Sequence, residues 1–239
     1  MNALLIGNEM FIRLGFFLGI FFVMAAWEKA SPRRALQQSK LTRWANNLGL
    51  TFFNTFVLRL LFPAAAVGTA LIADEKGWGL FHAISLPGWA GGLASIVILD
   101  LVVYAQHVAF HKVPVLWRLH RMHHIDLDID VTTGARFHPV EIIISMAIKM
   151  GAVAALGAPA WSVVVFEVLL NGTSMFNHSN ISMNLRVDRW IRRFIVTPDM
   201  HRVHHSVRIP ETDSNYGFNL SWWARLFRTY RAQPAAGHT

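Results

Sequence analysis

Residues 107–124 read HVAFHKVPVLWRLHRMHH, and this stretch decides how the chain is built. Its first residues close a long apolar run, and Pro114 opens a second, more polar helix. Five of the twelve histidines stand here, spaced H-x3-H and then H-x2-H-H, and the second spacing returns at His201-Arg-Val-His204-His205. Residues three and four apart share a helix face, so each box aims its imidazoles at a common spot. Imidazole is the commonest metal ligand at neutral pH and suits iron, zinc and copper.

Outward from this stretch the chain is apolar. Of its 239 residues 54% are hydrophobic and 15% charged, which points to an integral membrane protein. Cysteine is absent, which excludes disulfides, iron–sulfur clusters and thiolate catalysis. The formal charge of +8 sits beside apolar blocks, as membrane-flanking charge does, so nucleic acid is not an expected partner. The apolar run from Phe11 to Trp27 has no basic region before it and reads as a first span rather than a cleavable signal.

About 20 apolar residues cross about 30 Å of hydrocarbon. Residues 8–27, 50–73 and 89–110 meet that length, and 140–157 and 159–177 form a hairpin across Gly157-Ala158-Pro159. Glu9 and Arg13 are spaced to pair within the first span. Basic residues place 28–47, 111–138 and 178–239 on the cytoplasmic side, with the N-terminus outside. The expected fold is an all-α integral membrane protein. Four to five apolar helices carry a cytoplasmic helical cap that holds a histidine-rich dimetal site. The division expected is 1–90 for the N-terminal helices and basic loop, 91–231 for the catalytic part and 232–239 for a flexible tail.

That topology collects His107, His111, His120, His123, His124, His138, His178, His201, His204 and His205 on one side. Eight of them lie in three boxes, more nitrogen than one ion takes, so two ions are expected. His178 stands at a helix end as a ligand, and His138 is either a ligand or the start of a helix with Pro139 and Glu141. His82 and His238 receive no role. Asp100 and Glu167 lie on the stripes that lead to His111 and His178. With Asn180 they are candidates to support the ligands; Asp100 and Glu167 alternatively pair with Lys149 or Arg59. Asp126, Asp128 and Asp130 read as a solvated loop or the edge of a substrate gate. Ser31-Pro32 reads as a helix start, with Leu36, Leu41 and Trp44 on the bilayer surface, and 187–196 reads as interfacial.

The combined motifs resemble the fatty acid hydroxylase/sterol desaturase superfamily of membrane di-iron enzymes over about residues 93–230. They are Asp100-x6-His107-x3-His111, Leu116-Trp117-x2-His120-x2-His123-His124, Arg136-x-His138-Pro139-x-Glu141, His178-Ser-Asn180 and Pro198-Asp199-x-His201-x2-His204-His205. Asp213-Ser-Asn215-Tyr216-Gly217 and Trp222-Trp223-x-Arg225-Leu226-Phe227 complete the set, with Ala224 and Arg228 where the family usually carries Asp and Gly. The resemblance implies an oxygen-dependent oxidoreductase that hydroxylates or desaturates C–H bonds of a sterol, fatty acyl or related lipid. It implies two iron ions, replaceable by zinc on purification, dioxygen as cosubstrate, and an external electron donor such as a cytochrome b5-like protein, a ferredoxin or a reductase. A bacterial inner membrane, with the site facing the cytoplasm, is the expected location. The competing readings are a carotenoid or polar-lipid hydroxylase of the same superfamily and a bis-histidine haem electron-transfer protein.

Overall fold

The computed structural model describes residues 7–126 and 128–237; the end of the tail, with His238, lies outside the described residues. Among them the chain is all-helical apart from two isolated bridges, Pro32 with Ile181 and Ile195 with Leu220. The membrane-lying part comprises α1 (Glu9–Ala30), α2 (Lys40–Leu61), α3 (Ala65–Glu75), α4 (Leu80–Ala83) and α5 (Gly88–Lys112). After α6 (Pro114–His124) come the hairpin helices α7 (Pro139–Leu156) and α8 (Ala160–His178). The cap is completed by α9 (Leu185–Ile191), α10 (Pro198–His204), α11 (Ile209–Thr212) and α12 (Trp222–Leu226).

Among the described residues four stretches are long and apolar enough to cross a membrane: Glu9–Ala30, Lys40–Ala83, Gly88–Lys112 and Pro139–Leu156. Phe11, Phe22, Phe52, Phe56 and Leu60 are all more than 60% exposed, a lipid-facing surface that water would not tolerate. The chain is an integral membrane protein. The fifth apolar segment, α8, is its central helix, packed against α1, α3, α5 and α10. Ala66, Ala70, Leu99, Val153, Val163 and Phe166 form the main core between α3, α5, α7 and α8. The hairpin turns on Gly157, which takes φ +66°, and its tip meets Gly79 so closely that a Cβ there would fall 2.1 Å from the Gly157 nitrogen.

Three local expectations are corrected. The apolar run 50–73 is not one helix: α2 starts at Lys40 and stops at Leu61, because Pro63 has no N–H and its ring clashes with a continuing turn. Ser31-Pro32 starts no helix; Ser39 does, its side chain accepting the Thr42 N–H. Trp44 does not lie on the bilayer surface but turns inward, edge-on to Phe21, and donates to Asp130 at 3.1 Å. Pro114 and Pro198 open α6 and α10 as their sequence positions indicate.

The loop after α6, IDLDIDV at residues 125–131, likewise does not turn its acids to water. Asp126, Asp128 and Asp130 are buried, and Arg43 of α2 binds all of them. Its guanidinium meets both Asp126 oxygens at 2.9 and 2.8 Å and Asp130 at 2.6 Å, and it also donates to the Asp128 carbonyl. Asp128 accepts the backbone N–H of Gln37 and Gln38 at 2.8 and 2.7 Å. Glu28 of α1 accepts the N–H of Val131 and of Asn180. These contacts tie the first two helices to the loops that carry the histidines.

Candidate metal centre

Nine histidines converge where α5, α6, α8 and α10 meet. His107, His111, His120, His124 and His204 form one group, and His123, His178, His201 and His205 another; within each, one ring nitrogen per residue lies within 4.8 Å of the rest. The groups adjoin at His124 and His205, whose rings stack at 4.4 Å. Each H-x2-H-H box delivers residues to both groups, whereas His107 and His111 both join the first: on α6, His120 and His124 turn to the first group while His123 turns to the second.

Hydrogen bonds set the tautomers. A carbonyl oxygen only accepts, so a ring nitrogen bonded to one must carry the proton. His107 Nδ1 donates to Tyr216 O at 2.7 Å, His204 Nδ1 to Ser214 O at 2.7 Å, His123 Nδ1 to Arg136 O at 3.0 Å and His178 Nδ1 to Ser174 O at 2.7 Å. His120 Nδ1 donates to Glu141 Oε1 at 2.7 Å. In each neutral ring the Nε2 is then a bare lone pair. Yet His107 Nε2 faces His120 Nε2 at 3.0 Å, and His178 Nε2 faces both His123 Nε2 and His201 Nε2 at 3.0 Å.

Lone pairs held that close repel unless a cation stands between them. Protons are poor candidates: burial, and then the field of neighbouring imidazoles, holds His120, His123, His124 and His201 well below the ordinary histidine range. Both ring nitrogens of His124 and His205, with His111 Nε2, His201 Nδ1 and His204 Nε2, are buried without a hydrogen-bond partner among the described residues. Neutral, buried, partnerless nitrogens pointed at two common spots fit two metal ions.

The remaining sequence candidates are placed elsewhere. His138 joins neither group; its Nδ1 caps α7 by accepting the Val140 N–H at 3.1 Å. Asp100 supports no ligand ring and pairs with neither Lys149 nor Arg59; it accepts Trp223 Nε1 at 2.8 Å and the Leu220 N–H at 3.1 Å, fastening the C-terminal segment to α5. Glu167 pairs with Lys149 at 2.7 Å and Arg13 at 3.1 Å. Asn180 exchanges hydrogen bonds with the backbone of Arg34 at 3.2 and 2.8 Å. Among the described residues two carboxylates do touch clustered rings: Asp213 lies 3.5 Å from His111 Nδ1, and Glu141, in the first turn of α7, lies 2.7 Å from His120 Nδ1. An acid inside an apolar segment was the signal for Glu141.

Next to the first group opens a cavity of about 370 Å³ between α1, α2, α5, α7 and α8, with His107, His120 and Glu141 in its wall. That volume lies in the range of small-molecule sites. Residues 92–229, more than half of the chain, match the model of the fatty acid hydroxylase family.

The chain belongs to the fatty acid hydroxylase family.

Membership in the fatty acid hydroxylase family makes it a lipid-modifying oxidoreductase, and the histidine groups lie within the matched residues. It is 26% identical to the ornithine lipid hydroxylase OlsE of Rhizobium tropici over 233 residues, which cover 93% of this chain and 68% of that protein. It is 28% identical over 188 residues to alkylglycerol monooxygenase of Xenopus tropicalis, covering 77% of this chain and 41% of the relative. The human alkylglycerol monooxygenase is 28% identical over 138 residues, 56% of this chain and 29% of that protein. The chain thus spans less than half the length of the alkylglycerol monooxygenases it matches. No solved structure matches it.

The contact between Glu141 and His120 yields a prediction. A carboxylate on the far nitrogen of a ligating histidine fixes its tautomer and raises its basicity. Glu141→Ala is expected to weaken metal binding about 10–100-fold, measured by titration against a competing chelator. Unchanged affinity would reduce Glu141 to a helix-start residue.

Proposed function

We propose that this chain is a membrane-bound, dioxygen-dependent di-iron enzyme that hydroxylates or desaturates a hydrocarbon C–H bond of a polar lipid. The observation that carries the reading is the pairs of opposed Nε2 lone pairs at 3.0 Å, His107 on His120 and His178 on His123, beside a cavity in the apolar bundle. His107, His111, His120, His124 and His204 would hold one ion, and His123, His178, His201 and His205 the other. When bound, iron supplies the redox chemistry that activates dioxygen toward an unactivated C–H bond.

The chain's own residues do the rest. Backbone carbonyls of Tyr216, Arg136, Ser174 and Ser214 keep four ring protons off the ligating side. Phe110, Phe137 and Phe218 stand against the imidazoles and limit water there, which favours hydrogen abstraction from lipid over waste of reducing equivalents. Electrons come from an external donor, because the chain carries no flavin, haem or iron–sulfur motif. Residues 91–231 hold the catalytic part. The basic segments support a site on the cytoplasmic face, with a bacterial inner membrane as the location. The kinship to ornithine lipid hydroxylase and alkylglycerol monooxygenase favours a lipid with a polar head over a carotenoid.

The test is metal analysis of freshly purified protein together with lipid profiling. About two iron or zinc ions per chain are expected, and aerobic cells expressing the gene should gain an oxidised lipid. Protein without metal, or a strong Soret absorption from haem, would overturn the reading.

A further inference from the structure

The cavity runs away from the imidazoles toward a second set of polar groups. At that end stand Arg13 of α1, Arg59 of α2, Lys149 of α7 and Glu167 of α8, all in its wall. Glu167 lies eleven residues before His178 on one helix, and Lys149 eight after Glu141 on another. At 1.5 Å per residue these offsets put the far end about 12–16 Å from the imidazole layer. Between them the wall is mainly apolar, with Phe17, Leu58, Leu99, Val103, Met146 and Leu170, interrupted by polar side chains such as the Gln106–Ser145 pair.

The charges at the far end do not cancel. Glu167 takes Lys149 at 2.7 Å and Arg13 at 3.1 Å, and Arg13 also takes Glu9 at 3.0 Å. Two acids therefore answer three cations. Arg59 is left over: among the described residues it makes no hydrogen bond or close ion pair, although its field reaches Glu167. It is exposed and stands in the last turn of α2, beside the break that precedes α3, where it borders the cavity. A guanidinium without a carboxylate partner in the wall of a largely apolar cavity is a place where an anion is received.

We propose that the cavity binds an amphiphile by its anionic end, a carboxylate or a phosphate, on Arg59 with Arg13 and Lys149 beside it, and lays its hydrocarbon chain along the apolar wall toward His107 and His120. This rests on the reading of the histidine groups as the place of oxidation. Its consequence is positional: the carbon nearest the imidazoles lies far along the chain from the anionic end. Arg59 is a specificity-determining residue, because it acts on the end of the substrate that does not react.

The test uses the full-length holoprotein in an uncharged detergent, with dodecanoate, a lysophosphatidic acid of the same chain length and dodecanol as probes displacing a fluorescent fatty acid. One charge-assisted anchor is expected to favour an anionic probe over the alcohol by about tenfold or more. Arg59→Gln should bring the anionic probes to within about twofold of the alcohol, and Arg59→Lys should keep most of the preference. Tighter binding of dodecanoate would name a free fatty acid as the source of the anion, and tighter binding of the lysophosphatidic acid a phospholipid. A wild-type protein that does not distinguish anion from alcohol, or an Arg59→Gln protein that still does, overturns the proposal. Metal content is measured on the same samples. Protein without metal sinks the dimetal reading, while the anion preference stays readable because Arg59 contacts no imidazole.

Discussion

Replacing Arg43 with Met is expected to lower the heat-unfolding midpoint of the detergent-solubilised protein by about 10 °C. Arg43 is 4% exposed, and it is bonded to Asp126 and Asp130, which are themselves buried. Removing one partner of a buried ion pair costs about 3–5 kcal/mol, because the charge left behind has neither water nor a counter-ion. A domain of this size loses about 2–4 °C per kcal/mol. The substitution also strikes the metal centre, since the loop held by Arg43 connects His123 and His124 to Arg136, whose carbonyl orients His123. Adding Asp126→Asn and Asp130→Asn to Arg43→Met should recover part of the loss, because the orphaned carboxylates carry the penalty. A midpoint that falls by less than about 2 °C would show that the network orders the loop without stabilising the fold.

That network also marks where reading the chain stops working. The alternation in residues 125–131 looks like a water-facing loop, because nothing within it reveals a cation 83 positions upstream. Long-range ion pairs leave no local period. The histidine boxes were legible for the opposite reason: ligands three and four apart on short helices are a local pattern, and prolines at 114 and 198 announce where those helices begin. The stripe Asp100, Tyr104, His107 is buried along α5 as its spacing required, but the partner of Asp100 comes from Trp223, beyond any helical repeat. Glu141 carried two meanings at one position, and the commoner one, an acid in a first turn, concealed its contact with His120. The break at Pro63 is visible in the sequence as a proline inside the apolar run 50–73, where hydropathy alone shows one continuous span.

His178→Ala and His138→Ala separate ligand from scaffold. His178 Nε2 lies 3.0 Å from both His123 Nε2 and His201 Nε2, so its ring is the shared neighbour within a group of four. Its removal leaves three nitrogens and a void where the fourth stood. Bound metal is expected to drop from about two to about one per chain, and lipid oxidation to the background of cells without the gene, since chemistry that needs both ions fails with either missing. His138 carries the same side chain, lies in a segment that resembles the family motif, and only caps α7. Its replacement should cost about 0.5–2 kcal/mol of stability and leave both metals in place. Equal metal loss in the two variants would mean that ligation does not follow the grouping of the rings. Acid offers an independent handle on the same groups. The cap histidines are held neutral below the ordinary pKa of about 6.5, so metal-free protein keeps its full stability above that pH and loses it as the pH falls further. His178→Ala removes one of the rings that repel His123 and His205, so their protonation becomes easier. The stripped variant should therefore resist acid better than stripped wild type. A histidine that binds metal in the holoprotein is a liability once the metal is gone, and that reversal of sign is not expected of a residue that merely packs.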